Sequence, residues 1–367
     1  MKAGKTLQEL AIELDRQQTA KKDLIVDMGA LSMEAGDTSL SLHVKATAVC
    51  GINDIAHRQI GQALKIPAPY YDRMRAEYPE LLAQNVNGWF SRSPDTKRML
   101  RTMDGTARAF LSDRYRRIDN IDIARITLPI IEKMPGIIYE SCNLSPDYMY
   151  IKVVNPRLTA EVSPGDIVQA GVVISNSETG QGAVCVQPLI FRLVCSNGMV
   201  VNEARARRNH IGRVNSSDEN LMLYSEATLE ADDKAFIMKV QDTVRAAVDE
   251  ARFATVLDKL RESKEKKLNT KDIPSVVKMA AAGLKLTEAE GDGILNHLIQ
   301  DADYTLYGLA NAVTRYSQDV EDYDRASKLE EIGYQVITMS PELFRQINHV
   351  STPVPGNSLL PAESDVE

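Results

Sequence analysis

The chain has 367 residues, a formal net charge of −8, 44% hydrophobic and 26% charged residues, the balance of a globular protein long enough for two domains. No run of about 18 apolar residues could span a bilayer, and the opening MKAGKTLQEL lacks the apolar stretch of a signal peptide, so a cytoplasmic location with no membrane partner is expected. Net acidity argues against a surface coated by nucleic acid but leaves room for a local basic groove, because a clustered face and not the sum decides phosphate contact.

Leu7 to Gln18 places Leu7, Leu10, Ala11 and Leu14 at helical spacing. Asp23–Glu34 and Thr38–Val49 then read as a hairpin turned at Ala35-Gly36-Asp37. In its second strand Leu40, Leu42, Val44, Ala46 and Ala48 alternate with Ser39, Ser41, His43, Lys45 and Thr47, the pattern of a half-buried antiparallel strand. Asn53 or Asp54 caps a helix through Leu64, and a second helix follows the Pro67 and Pro69 break. This pair has the outline of a helix-turn-helix, but its second helix begins with prolines and offers few side chains suited to base edges. A helical insert over about 53–90, packed on the sheet and closed by Trp89 and Phe90, is the reading preferred.

Lys97–Asn120 is the most basic stretch, with Lys97, Arg98, Arg101, Arg108, Arg114, Arg116 and Arg117. Asp104-Gly105 inside it predicts a tight hairpin turn between Arg98–Met103 and Thr106–Leu111, carrying arginines on one surface with Tyr115 beside them. Asp119 is the expected cap of a helix over Asp122–Met134. Strands are expected over Gly136–Asn143, Tyr148–Val154, Ile167–Ser175 and Ala183–Cys195, the last with Pro188 suggesting a bulge or an edge. Asn176, Ser177 and Glu178 predict an ordered turn, with Glu178 within reach of an arginine, and Asn197-Gly198 predicts another turn into Met199–Val201. The four cysteines, Cys50, Cys142, Cys185 and Cys195, lack a CxxC pair and read as small buried hydrophobes; no metal or cofactor is expected.

A second basic cluster follows: Arg205, Arg207, Arg208 and Arg213, with His210 among them. Beyond Asn215–Asp218 the pattern is helical. Ile237, Val240, Val244, Val248 and Ala251 mark a buried stripe, Pro274 opens a helix behind Asp272, and Thr287 with Glu290 forms a capping box. Helices over Tyr304–Gln318 and Glu321–Ile337 precede a tail, 351–367, of disordered, acidic character. The expected fold is α+β, an antiparallel sheet with packed helices over 1–215, followed by an all-helical domain over 219–340.

Four segments, RTMDGTARAFLSDRYRRIDN, GVVISNSETGQGAVCVQPLIFRLVCSNGMVV, RRNHIGR and YGLANAVTRYSQDV, resemble in order and spacing the domain-of-unknown-function family numbered 932. The likeness runs from about residue 35 to 340. It implies a phage or plasmid origin and an accessory role, and no established reaction. Two arginine clusters on an antiparallel sheet, with tyrosines for stacking, point to nucleic acid, above all single-stranded DNA, handled in replication or recombination; a homo-oligomer fits that role. The alternatives are a metal-dependent enzyme acting on phosphates, drawing on Asp113, Asp119, Asp122, Glu178 and His210, and an interaction protein such as a host-defence antagonist. No GxxxxGK[ST], HExxH or GxSxG motif supports the enzyme, and no catalytic residue is assigned.

Overall fold

A computed structural model describes residues 1–36, 39–45, 48–201, 206–208, 226–247 and 249–348. Thr6 and Glu9 form a capping box that starts α1 (Leu7–Ala20). The first sheet follows, built from β1 (Lys21–Asp27), β2 (Leu31–Ala35), β3 (Leu40–Val44) and β4 (Ala48–Ile52). Helices α2 (Asp54–Ala63), α3 (Ala68–Glu77) and α4 (Pro79–Arg92) lead to β5 (Lys97–Met103) and β6 (Thr106–Ser112). The strand order is β1-β5-β6-β4-β3-β2. All pairs are antiparallel except β4 with β6, which the intervening helices bring side by side in parallel.

One face of this sheet buries Leu40, Leu42, Leu100 and Phe110 against Ile60, Leu82, Val86 and Phe90 of the helical insert. Phe90 is buried there, but Trp89 is 46% exposed. The long first hairpin expected from the sequence is redirected, and its second strand, expected over Thr38–Val49, is two: β3 ends at Val44 and β4, which starts at Ala48, folds back on it. A 3-10 turn at Met28–Ala30 breaks the chain, and β1 pairs with β5 instead of β2. The cause is local: Met28 and Gly29 donate to the carbonyls of Thr96 and Pro94, and a Cβ on Gly29 would lie 2.7 Å from Pro94 Cβ. Asp37 of the expected turn lies outside the described residues.

The second sheet follows α5 (Asn120–Ile131) and comprises β7 (Ile138–Leu144), β8 (Met149–Ser163), β9 (Asp166–Asn176), β10 (Val184–Arg192), β11 (Asn197–Val200) and β12 (Ala206–Arg208). It is an antiparallel meander in the order β7-β8-β9-β10-β11, and β12 continues along β10 beside β11's end. Pro188 therefore sits in a central strand, neither at an edge nor in a bulge. Its carbonyl accepts from Val201 N, and the reciprocal bond to Val201 O is the one its nitrogen, which lacks a hydrogen, cannot make; that position lies one residue past the end of β11. Asn197 and Gly198 are strand residues paired with Arg192 and Phe191. The turn lies earlier, over 193–196, and Ser196 takes the positive φ of 50°.

The remaining helices are α6 (Glu226–Ala247), α7 (Glu250–Glu265), α8 (Ile273–Gly283), α9 (Glu288–Asp301), α10 (Leu306–Tyr316), α11 (Tyr323–Ile337) and α12 (Pro341–Asn348). Asp272 and Thr287 cap α8 and α9 through Ser275 N and Glu290 N. Val168, Ala170, Ile190 and Met199 share one core with Leu257, Leu260, Tyr307 and Val313, so the helices cover a face of the second sheet. The whole is α+β with a helical C-terminal region. No helix among the described residues is long and apolar enough to cross a membrane. The connector expected at Asn215–Asp218 and the tail at 351–367 lie outside the described residues.

Candidate functional site

The basic hairpin forms with Asp104 and Gly105 at φ 51° and 74°, the primed turn that an Asp-Gly pair favours. Its arginines do not share a surface. Arg98 and Arg101 are three residues apart on a strand, so their side chains leave opposite faces. Arg98 is half-buried, its guanidinium 5.9 Å from the Phe110 ring centre on the helix-covered side. Arg101 points to the other side and is 0% exposed.

Arg101 is the centre of an ion network. Its Nε donates to Asp23 Oδ1 at 2.8 Å, from the residue directly across the β1–β5 ladder, and its Nη2 donates to Asp119 Oδ1 at 2.7 Å. Lys21 also pairs with Asp119. Burial works against the Arg101 charge, but Asp119 and Asp23 outweigh it and hold the guanidinium more firmly protonated than usual. The same balance holds Asp119 below the ordinary carboxylate range: burial opposes its charge, and Arg101 and Lys21 prevail. A buried charge survives only when paired and hydrogen-bonded in this way.

Arg101 Nη1 donates to the carbonyl of Glu178 at 2.8 Å, which joins the first sheet to the 176–182 loop of the second. That loop is held residue by residue. Asn176 Nδ2 donates to Ile118 O and Asn120 Oδ1, Tyr115 Oη donates to Ser177 O, Gln59 Nε2 donates to Thr179 O, and Tyr148 Oη donates to Gln181 O. Gly180 has φ +78°, a conformation that favours glycine, and a Cβ there would also push aside the Leu111 side-chain tip, 2.7 Å away. Ser177 Oγ accepts from Gln181 N and closes the turn.

The Glu178 carboxylate does two things. Oε2 accepts from Arg108 Nη2 at 2.5 Å, and Oε1 accepts from Asn120 N at 2.6 Å. Asn120 opens α5, so a residue 58 positions away caps that helix. Asp119, the cap expected from the sequence, makes no such bond, because its carboxylate is taken by Arg101 and Lys21. An acid at a helix start is favoured by the exposed amides and the helix dipole, whichever part of the chain supplies it.

The structure divides the sequence-derived candidates. Arg101, Arg108 and Tyr115 are buried in the junction between the sheets. Lys97, Arg114 and Arg117 are exposed, and Arg98 and Arg116 half-buried. Arg117 Nη1 lies 3.4 Å from Asp23 Oδ2, at the rim of the network. Of the second cluster, Arg207 is exposed on β12 opposite Cys185, and Arg208 stands on the same strand opposite Val184. Arg205, His210 and Arg213 lie outside the described residues. Asp119 and Glu178, weighed as metal-binding carboxylates, are each engaged by arginine. Among the described residues no three His, Cys, Asp or Glu side chains gather as a metal centre. Cys50 and Cys142 are buried, Cys185 and Cys195 half-buried, all four as free thiols.

Sequence reasoning missed Asp23, Gln59 and Lys152. Asp23 and Gln59 leave no trace in any local pattern. Lys152 does, as a lone cation within the apolar run YIKVV. It is fully buried, donates to Glu330 at 2.7 Å and to Ser327 at 2.9 Å, and lies 4.6 Å from the Tyr323 ring centre.

These features define an α+β protein whose two sheets are locked by a loop seated in a buried ion network. The family described as "Domain of unknown function (DUF932)" matches residues 109–346, well over half of the chain, and the chain belongs to it. No curated protein and no solved structure matches the chain.

Proposed function

We propose that this protein binds nucleic acid, in first place single-stranded DNA, as an accessory to replication or recombination on a phage or plasmid, in the cytoplasm and as a homo-oligomer. One observation carries this reading. The 176–182 loop receives the Arg114–Arg117 segment through Tyr115, and its far end runs directly into Val184–Val186, against which β12 pairs with Arg207 and Arg208. The Arg114–Arg117 segment and the strand carrying Arg207 and Arg208, some ninety residues apart, thus adjoin one loop at one end of the second sheet.

Phosphate recognition needs such a clustered basic face and little else. Exposed rings available for stacking include Tyr70, Tyr78 and Trp89, the last with the Arg92 guanidinium 6.0 Å from its centre; Tyr115 is committed to the loop. Retention of a labelled single strand and its duplex at two salt concentrations tests the reading. Binding should fall steeply with salt and favour the single strand, and equal failure to retain either strand at low salt would refute it.

A further inference from the structure

An edge strand whose backbone groups are left open is a template for pairing with another chain. At two sheet edges the protein closes that template itself. On β2, Asn87 of α4 takes the place of a neighbouring strand: its Oδ1 accepts from Met33 N at 2.7 Å and its Nδ2 donates to Met33 O at 2.8 Å. On β7, Cys142 exchanges both backbone bonds with Lys5. Among the described residues β1, the outermost strand of the first sheet, has no such cover.

The ladder decides which groups of β1 stay open. Phe110 N donates to Gln59 Oε1 and not to β5, so its partner Leu100 turns its own backbone groups toward β1. Lys22, Leu24 and Val26 therefore bond inward to β5, and Met28 N continues that phase by donating to Thr96 O. The N–H and C=O groups of Asp23, Ile25 and Asp27 face outward, where no described residue bonds them. Ile25 is itself 53% exposed.

A two-fold antiparallel partner must set outward residues opposite outward residues, which leaves few registers. Centred on Asp23, the pairing sets that aspartate against its own copy; centred on Ile25, it sets Asp23 against Asp27. Both put like charges face to face, which is destabilising. Centred on Leu24, it uses the whole strand KKDLIVD and sets Lys21 opposite Asp27, Asp23 opposite Ile25 and Leu24 opposite itself. The full-length register is thus the one with complementary charge.

We propose that β1 is the interface of a homodimer, two copies pairing antiparallel about Leu24 so that their six-stranded sheets run on as one. The assignment rests on the reading above only for its homo-oligomer and is independent of the ligand.

Sedimentation velocity of the full chain over a range of concentrations tests it, with two variants. Ile25→Pro removes an outward donor and no bond to β5, so it should melt close to the wild type and sediment as a monomer. Asp27→Lys, at an exposed carboxylate that makes no cap bond, sets lysine against Lys21 in both halves of the interface. It should weaken the dimer about tenfold and reverse its salt dependence, so that added salt strengthens association in the variant and weakens it in the wild type. A wild type that stays monomeric overturns the proposal, as does a folded Ile25→Pro that associates like the wild type. If Ile25→Pro does not fold, Asp27→Lys decides alone, and an unchanged dimer there overturns it. Oligonucleotide retention separates the two readings. A wild-type dimer disrupted by these variants that retains no strand upholds the interface and refutes nucleic-acid binding; a wild-type monomer that retains one does the reverse.

Discussion

Glu178 and Arg108 face each other across the junction of the two sheets, 2.5 Å apart and both almost fully buried, while the second oxygen of Glu178 caps α5 at Asn120 N. One carboxylate therefore neutralises a cation from the first sheet and fixes the first helix leading into the second. Replacement by glutamine keeps the shape and an acceptor but strands the Arg108 charge. Glu178→Gln should lose about 3–5 kcal/mol by urea denaturation, the range for breaking a buried pair on one side. A loss under 1 kcal/mol would mean that water reaches this pair.

Arg101 should behave as part of a unit. Arg101→Met leaves Asp23 and Asp119 facing each other with Lys21 and Arg117 as the remaining cations, at a cost of about 3–5 kcal/mol. Neutralising the acids in the same chain, Asp23→Asn with Asp119→Asn, should recover part of that cost, since no uncompensated charge remains. Simple additivity of the three changes would show that they do not interact.

His57 sets a pH dependence. It is buried in α2 with Nδ1 2.9 Å from Tyr71 Oη, and burial, assisted by Arg75, lowers its pKa to about 4 from 6.5. Because the folded value is depressed, its contribution is complete above about pH 6.5 and is lost as pH falls toward 4. The loss should be on the order of 3 kcal/mol. His57→Gln should flatten the stability profile across that window, as read by denaturation midpoints at half-unit steps.

Asp324 works in the opposite direction. Burial, together with Asp322 and Asp147, pushes its pKa up to about 6 despite the hydrogen bond from Ser145 Oγ. A raised carboxyl is favourable in the fold only when protonated, so its strain is absent below the ordinary value of 3.8 and grows as pH rises through 6. Asp324→Asn should raise the melting temperature at pH 7.5 and leave it unchanged near pH 3.5. A lower melting temperature at pH 7.5 would assign the carboxylate a stabilising role at the start of α11.

For strand binding, Arg117→Ala and Arg207→Ala should each reduce the log–log salt slope by about one unit, alike for all sequences. Neither residue is buried, so their melting temperatures should change little. Arg101→Met should melt early yet bind with an unchanged slope once folded, because its guanidinium meets no solvent. The reverse pattern would move the interface to the junction itself.

Local chemistry was written in the sequence. Asp104-Gly105 dictated its turn because a primed hairpin needs positive φ, and Asn53, Asp272 and Thr287 dictated helix starts because orphan amides need nearby acceptors. The apolar alternation of β3 named its buried face, and the family segments were recognisable in order. Tertiary structure alone decided which arginines are surface and which are core. Arg101 and Arg117 look alike in the chain, yet one is sealed by Asp23, Asp119 and the Glu178 carbonyl and the other stands at the rim. Charge burial depends on partners from 18 to 78 residues away, which no local pattern encodes. The same holds for α5, whose expected cap was drawn to Arg101 and Lys21 and whose actual cap arrives from the second sheet.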